Sequence, residues 1–294
     1  MDFFQVPSQV GPLEGKAIAS PPIRRSASLN RKLTGICSRG CLLLCILLST
    51  PLWPATAQVL RREAFALRNA TQLIVVAAPE WNAMFGVLQR YERSAPGGAW
   101  KVVGHPIAVV IGKNGLGWEA GNEAADPRGA RSPNDPVKQE GDLRSPAGVF
   151  LLGTTFGYSS QKPVAWRMPY LALTPSTVCV DDPKSKFYNQ VLDRTTVSPD
   201  WKSSQQMLRT DDENHWGLVV EQNVDPAQPG DGSCTFLCIW RGPGQATVGS
   251  MATAQEQIEN VLGWLDPAQN PVLVQLPASK YRALENTWEL PTIP

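Results

Sequence analysis

The chain predicts a mainly β domain with a few short helices, on three observations. Short apolar runs with many β-branched residues recur at 72–77, 86–92, 107–111, 148–152, 216–220 and 272–276. Gly, Pro and Asp/Asn turns separate them, without the long amphipathic segments that alternate with strands in doubly wound domains. Only one helix is strongly patterned, beginning after Thr253.

Taken in order, the first feature is a targeting segment. Arg24, Arg25, Arg31, Lys32 and Arg39 precede the apolar run Cys41 to Leu48, and Ala55-Thr56-Ala57 follows as a small-residue cleavage site. The run is too short to span a bilayer, so residues 1–57 read as an N-terminal extension and secretory signal peptide. An uncleaved single-pass anchor is the second reading, and it would give the chain its only contact with a membrane. Residues 58–294 are then a single exported domain, long enough to bury a sizeable core.

Within that domain, Gln72–Ala77, Gly86–Glu92 and Ile107–Ile111 are read as strands. The glycine-rich Gly112 to Gly117 is a turn closing a hairpin; its spacing fits neither a dinucleotide fingerprint nor a phosphate loop. Trp118 to Gln139 is polar, Gly/Pro-rich and read as an exposed loop. After the strands at 148–152 and 216–220, Asn223 to Gly232 is a long hairpin loop leading into the strand Phe236 to Arg241. Thr253 and Glu256 form a capping box, and Ile258, Val261, Leu262 and Leu265 repeat at helical spacing. The last strand is Val272–Leu276.

Formal net charge is +1, and no basic run or aromatic-basic ladder occurs, which sets nucleic acid aside as a partner. No cofactor motif is present. His105 and His215 are the only histidines, and no Cys/His pair has metal-ligand spacing. Asp181-Asp182 and Asp211-Asp212-Glu213 read as turn-capping and solvated acidic loops. Of the six cysteines, Cys37, Cys41 and Cys45 belong to the targeting segment. The remaining Cys179, Cys234 and Cys238 allow one disulfide in an exported protein. Cys179 with Cys234 is preferred, and Cys179 with Cys238 stays open.

The chemistry concentrates between Cys234 and Ser250, where an apolar strand leads through a Gly/Pro loop to Gly249-Ser250 just before the helix. A residue there would be aimed from a loop into a pocket, about one turn from a helix N-terminus with its unpaired N–H groups. A cysteine would profit from that dipole; a serine hydroxyl needs an adjacent base. The plainer reading makes Gly249-Ser250 only a turn entering a helix.

Two separated motifs resemble the L,D-transpeptidase catalytic domain, the YkuD-like family of exported peptidoglycan enzymes. Gly141-Asp142-Leu143-Arg144-Ser145-Pro146-Ala147-Gly148 is similar to that family's Gly-Asp-x-Arg-(Ser/Thr)-Pro-x-Gly signature. Cys234 to Ser250, with the helix and Trp264-Leu265-Asp266-Pro267 after it, resembles its catalytic strand, loop and helix. The likeness runs from about Thr71 to Pro277. It implies a β-sandwich-like fold, a place in the periplasm or cell envelope, peptidoglycan stem peptides as partners, and acyl transfer through a cysteine activated by a histidine.

The sequence departs from that pattern at both chemical positions. Ser250 stands at the nucleophile position, after Gly249, and Cys238 stands at the histidine position. Activity is expected to be impaired or absent, the alternative being a silent relative that binds peptidoglycan or protein. His215, at the entrance of the neighbouring strand, is the one candidate for a replacement base. Arg144 is read either as a stem-carboxylate ligand or as a donor to backbone carbonyls. Trp240 and Arg241 are expected to line the cleft, and Trp201 and Trp216 are further aromatic candidates.

Overall fold

Apolar runs without alternation are buried on both faces, and alternating runs on one. The computed structural model describes residues 65–119 and 131–293 and bears this out at its centre. The signal-peptide reading, with Cys37, Cys41 and Cys45, falls outside the described residues. Those residues belong to one compact unit, Pro51–Pro294. Among them no helix is long and apolar enough to cross a membrane.

The strands are β1 (Gln72–Ala78), β2 (Phe85–Glu92), β3 (Lys101–Val110), β4 (Leu116–Trp118), β5 (Ser145–Gly157), β6 (Tyr170–Ala172), β7 (Thr177–Cys179), β8 (Val191–Asp193), β9 (Gln205–Gln206), β10 (Trp216–Glu221), β11 (Phe236–Ile239), β12 (Met251–Thr253) and β13 (Val272–Pro277). Two helices follow the last part of the chain: α1 (Gln255–Trp264) after β12 and α2 (Ala278–Leu284) after β13. A short helical turn at 65–69 precedes β1.

β1 and β13 are parallel neighbours and almost wholly buried. β2 alternates, with Phe85 and Val87 exposed and Gly86, Leu88 and Tyr91 buried. The main sheet runs β10-β11-β12-β3-β2-β1-β13-β5, and β10 also pairs with β5. That last pairing closes the ring into a barrel, so the mainly β class expected from the sequence holds. A register shift between Leu218 and Val220 accompanies the closure. β7, β8 and β9 form a separate small sheet.

The main core joins barrel strands to Ile258, Val261 and Leu262 of α1 and to Tyr281 and Leu284 of α2. Tyr281 is fully buried, and its hydroxyl donates to the Pro291 carbonyl at 2.7 Å. A second cluster contains Phe156, Cys179, Met207, Cys234, Phe236 and Cys238 and joins the small sheet to the barrel. Buried Arg93 donates to the carbonyls of Leu67, Arg68 and Ala70, which close the helical turn at 65–69. A cation at the carbonyl end of a helix is the favourable polarity.

Several sequence readings need correction. The residue before α1 is Ala254, without a side-chain cap, and the Thr253 hydroxyl donates instead to the Ala108 carbonyl at 2.7 Å. Tertiary pairing of β12 with β3 thus claims the group assigned to the capping box. Gly112 to Gly117 is a turn, with the Gly115 amide donating to the Gly112 carbonyl at 2.7 Å. It leads into β4, which pairs in parallel with β5, so it closes no hairpin. In the 118–139 segment Trp118, Glu119 and Lys138 are buried, whereas Ser132, Pro133, Asn134 and Gln139 are exposed as the loop reading expects.

Candidate active site

β11 and β12 lie side by side in parallel, with Leu237 opposite Met251 and Cys238 opposite Ala252. This register carries Ser250, just before β12, alongside Phe236, whose amide donates to the Ser250 hydroxyl at 3.1 Å. β10 flanks β11 on its other side, antiparallel, with Gly217 opposite Cys238. The hairpin expected between these strands, with its long loop from Asn223, is present.

The turn at Ser250 is tied down through its backbone. The Ser145 hydroxyl donates to the Ser250 carbonyl at 2.8 Å, and the Thr247 hydroxyl donates to the same oxygen. Ser145 in turn accepts from the Gly112 amide at 2.9 Å. Gly249 has φ 149°, a conformation that side-chain-bearing residues rarely adopt. The Gly141 to Gly148 motif and the 247–250 loop are therefore one assembly, joined through Ser145.

Ser250 does not sit on the α1 terminus. β12 intervenes and carries the chain about 10 Å in extended form before the helix begins at Gln255. The dipole expected to act on position 250 falls off within a helical turn, so the Phe236 amide is the described donor to this hydroxyl. The three residues Met251–Thr253, between a loop and a strongly patterned helix, gave no strand signal in the sequence.

Cys238 and Ser250 line one pocket of about 100 Å³, together with Phe236, Trp240, Arg241 and the 245–248 loop. A further part of its wall is made by Gln205, Gln206, Arg209, Glu213 and Asn214. Sequence reasoning missed this wall, because two glutamines in a two-residue strand carry no pattern. Arg241 pairs with Glu213, and Arg209 pairs with Asp211 at 2.6 Å. The guanidinium of Arg241 remains largely exposed at the rim, its side chain 62% accessible. Trp240 is half-buried, its amide bonded to the Thr253 carbonyl at 2.9 Å.

The other candidates stand elsewhere. His215 lies outside the residues lining this pocket, with its ring against Tyr158 and Trp216 at 5.2 and 5.1 Å. Arg144 donates to the carbonyls of Leu116 at 2.8 Å and Trp81 at 3.4 Å, and to the Asn82 side chain at 3.1 Å. Its guanidinium therefore serves mainly as a donor to backbone carbonyls. Trp201 packs edge-on to Phe187 and Trp216 edge-on to Trp166. His105 is exposed on β3.

Cys179 and Cys234 form the disulfide, and Cys238 is the free, buried cysteine among the described residues. Burial pushes the Cys238 thiol up to about 12, with the Glu213 carboxylate adding to the shift. A neutral thiol accepts no proton from a serine, and it lacks the second nitrogen by which an imidazole is oriented.

The raised thiol also predicts a pH dependence. The folded chain holds this proton more tightly than the unfolded chain, so its contribution to stability is complete below the ordinary value of 9.0 and disappears as pH rises to about 12. Stability should fall by up to about 1.4 kcal/mol per pH unit across that window from this group. Buried Tyr188 and Tyr281 are also raised and add to the loss. Denaturant unfolding of native chain and Cys238→Ala from pH 8.5 to 11.5 isolates the cysteine's share: the variant should show the shallower decline.

Fold and site together define a mainly β barrel with a serine and a buried neutral thiol in one small pocket. No family model, curated protein or solved structure matches the chain.

Proposed function

We propose that this chain is an exported protein of the peptidoglycan L,D-transpeptidase (YkuD-like) family whose acyl-transfer pair has been replaced. On this reading it holds peptidoglycan stem peptides in the periplasm or cell envelope without transferring them. The observation that carries it is the juxtaposition of Cys238 and Ser250 in one pocket, at the positions the family gives to histidine and cysteine. The buried thiol cannot activate the hydroxyl, and the hydroxyl already accepts the Phe236 amide. The family's β-sandwich-like architecture belongs to the same proposal, and the mainly β sheet is compatible with it at the level of fold class.

Two measurements test the reading. Native chain incubated with a carbapenem should keep its unmodified intact mass; an adduct that disappears in Ser250→Ala would show a working nucleophile instead. Co-sedimentation with purified peptidoglycan sacculi should retain the chain. Replacing Trp240 and Arg241 by Ala should weaken that retention about fivefold or more, the scale of an aromatic or arginine anchor. Absence of sacculus binding would remove the binding half of the proposal.

A further inference from the structure

The Cys179–Cys234 bridge connects two walls of the Cys238 pocket. On one side, Cys179 of β7 is paired directly opposite Gln205 of β9, and Gln205 and Gln206 stand on the pocket wall. On the other, Cys234 precedes β11 by two residues, and the first residue of β11, Phe236, donates its amide to Ser250. Asn189, between β7 and β8, supports the same junction by accepting the Cys234 amide at 2.9 Å. Among the described residues the small sheet has no strand pairing to the barrel. What joins them, beyond the bridge, includes packing of Met207 and Leu173 and the Asn214 side chain donating to the Met207 carbonyl.

The bridge also adjoins a second, larger cavity of about 550 Å³, lined by both cysteines with Phe156, Tyr170, Val219 and Phe236. Phe236 is common to the two spaces. The sulfurs are shielded from bulk solvent, and this cavity is where a small thiol reagent would approach them.

The geometry points to a redox latch: the Cys179–Cys234 disulfide clamps the β7–β9 sheet as a lid over the Cys238–Ser250 pocket, and its reduction by a dithiol opens the pocket. In that step a reductant thiolate attacks one bridge sulfur, forms a mixed disulfide and releases the other cysteine as a thiolate, which takes up a proton. The reductant's second thiol then displaces the remaining cysteine. The bridge gains two electrons and two protons, and the reductant leaves as its cyclic disulfide. In the oxidising setting of an exported protein the closed form is the resting one. As the regulation of a binding site, the latch rests on the functional reading above. The carbapenem and sacculus experiments test what occupies the pocket, whereas the experiment below tests access to it, so the two can fail separately.

Cys238 serves as a built-in reporter. Full-length chain is treated with iodoacetamide with the bridge intact, after dithiothreitol, and as Cys179→Ala/Cys234→Ala, and the Cys238 peptide is quantified by mass spectrometry. Alkylation of Cys238 should accelerate about tenfold or more once the bridge is open, as local opening becomes easier. An unchanged rate in chain whose bridge is demonstrably open overturns the latch. Hydrogen exchange on reduced native chain guards against a folding defect. Loss of protection confined to the segment from Thr177 to Gln206 supports the latch, and simultaneous loss in β1 and β13 overturns it in favour of a global staple.

Discussion

A chain carrying Cys238→His together with Ser250→Cys is expected to gain a stable carbapenem adduct that the native chain lacks. The β11–β12 register already places the two positions in one pocket, with the Phe236 amide beside the atom that would react. A thiol at position 250 brings a few per cent of thiolate at neutral pH, and an imidazole at position 238 supplies the missing base. General-base assistance alone contributes about 10²–10⁴ in rate, so acylation should change from undetectable to rapid on the scale of minutes to hours. Each single variant should stay close to the native chain, because nucleophile and base act as a unit. Intact-mass spectrometry over a time course reads all four proteins. A well-folded double variant without an adduct would mean that the pocket itself no longer accepts the β-lactam.

Gly115→Ala is expected to be among the most destabilising single substitutions in the chain. Gly115 has φ +82°, and an added Cβ would lie 2.0 Å from the Trp81 carbonyl oxygen and 2.7 Å from the Asn82 Cα. Both neighbours are backbone, so relief requires moving the chain. The left-handed conformation and the overlap together should cost about 3 kcal/mol or more. The consequences should extend to the site, because the Gly115 carbonyl accepts the Ser145 amide at 2.9 Å and the Ser145 hydroxyl holds the Ser250 carbonyl. Chemical denaturation should show a lowered midpoint with an unchanged slope. A native-like midpoint would contradict the packing described for this turn.

Much of the barrel was legible because burial on two faces leaves a recognisable mark. Gln72–Ala78 and Val272–Pro277 are apolar nearly throughout and became the parallel pair at its centre. The buried face of α1 was legible from helical spacing at Ile258, Val261 and Leu262, with buried Leu265 just past the helix end. The short strands β4, β6, β7, β8, β9 and β12 were not, since two or three residues cannot display a period. The glycine turn and the capping threonine were misassigned for a related reason: Thr253 bonds to Ala108, and Gly115 to Ser145, across sequence distances that no local pattern reports.

At the site, sequence alone determined the residue types: a serine and a cysteine at the separation where a resemblance to L,D-transpeptidases leads one to look for cysteine and histidine. The three cysteines beyond residue 57 were legible as well, of which only two can join. Tertiary structure decided what those residues can do. Strand register, a long-range property, placed Cys238 and Ser250 in one pocket, and burial fixed the thiol as neutral. Closure of β10 onto β5 made the sheet a barrel, and the Cys179–Cys234 bridge tied the separate small sheet to the segment just before β11. Charge state, access and register depend on groups distant in sequence, and only the folded chain brings them within range of one another.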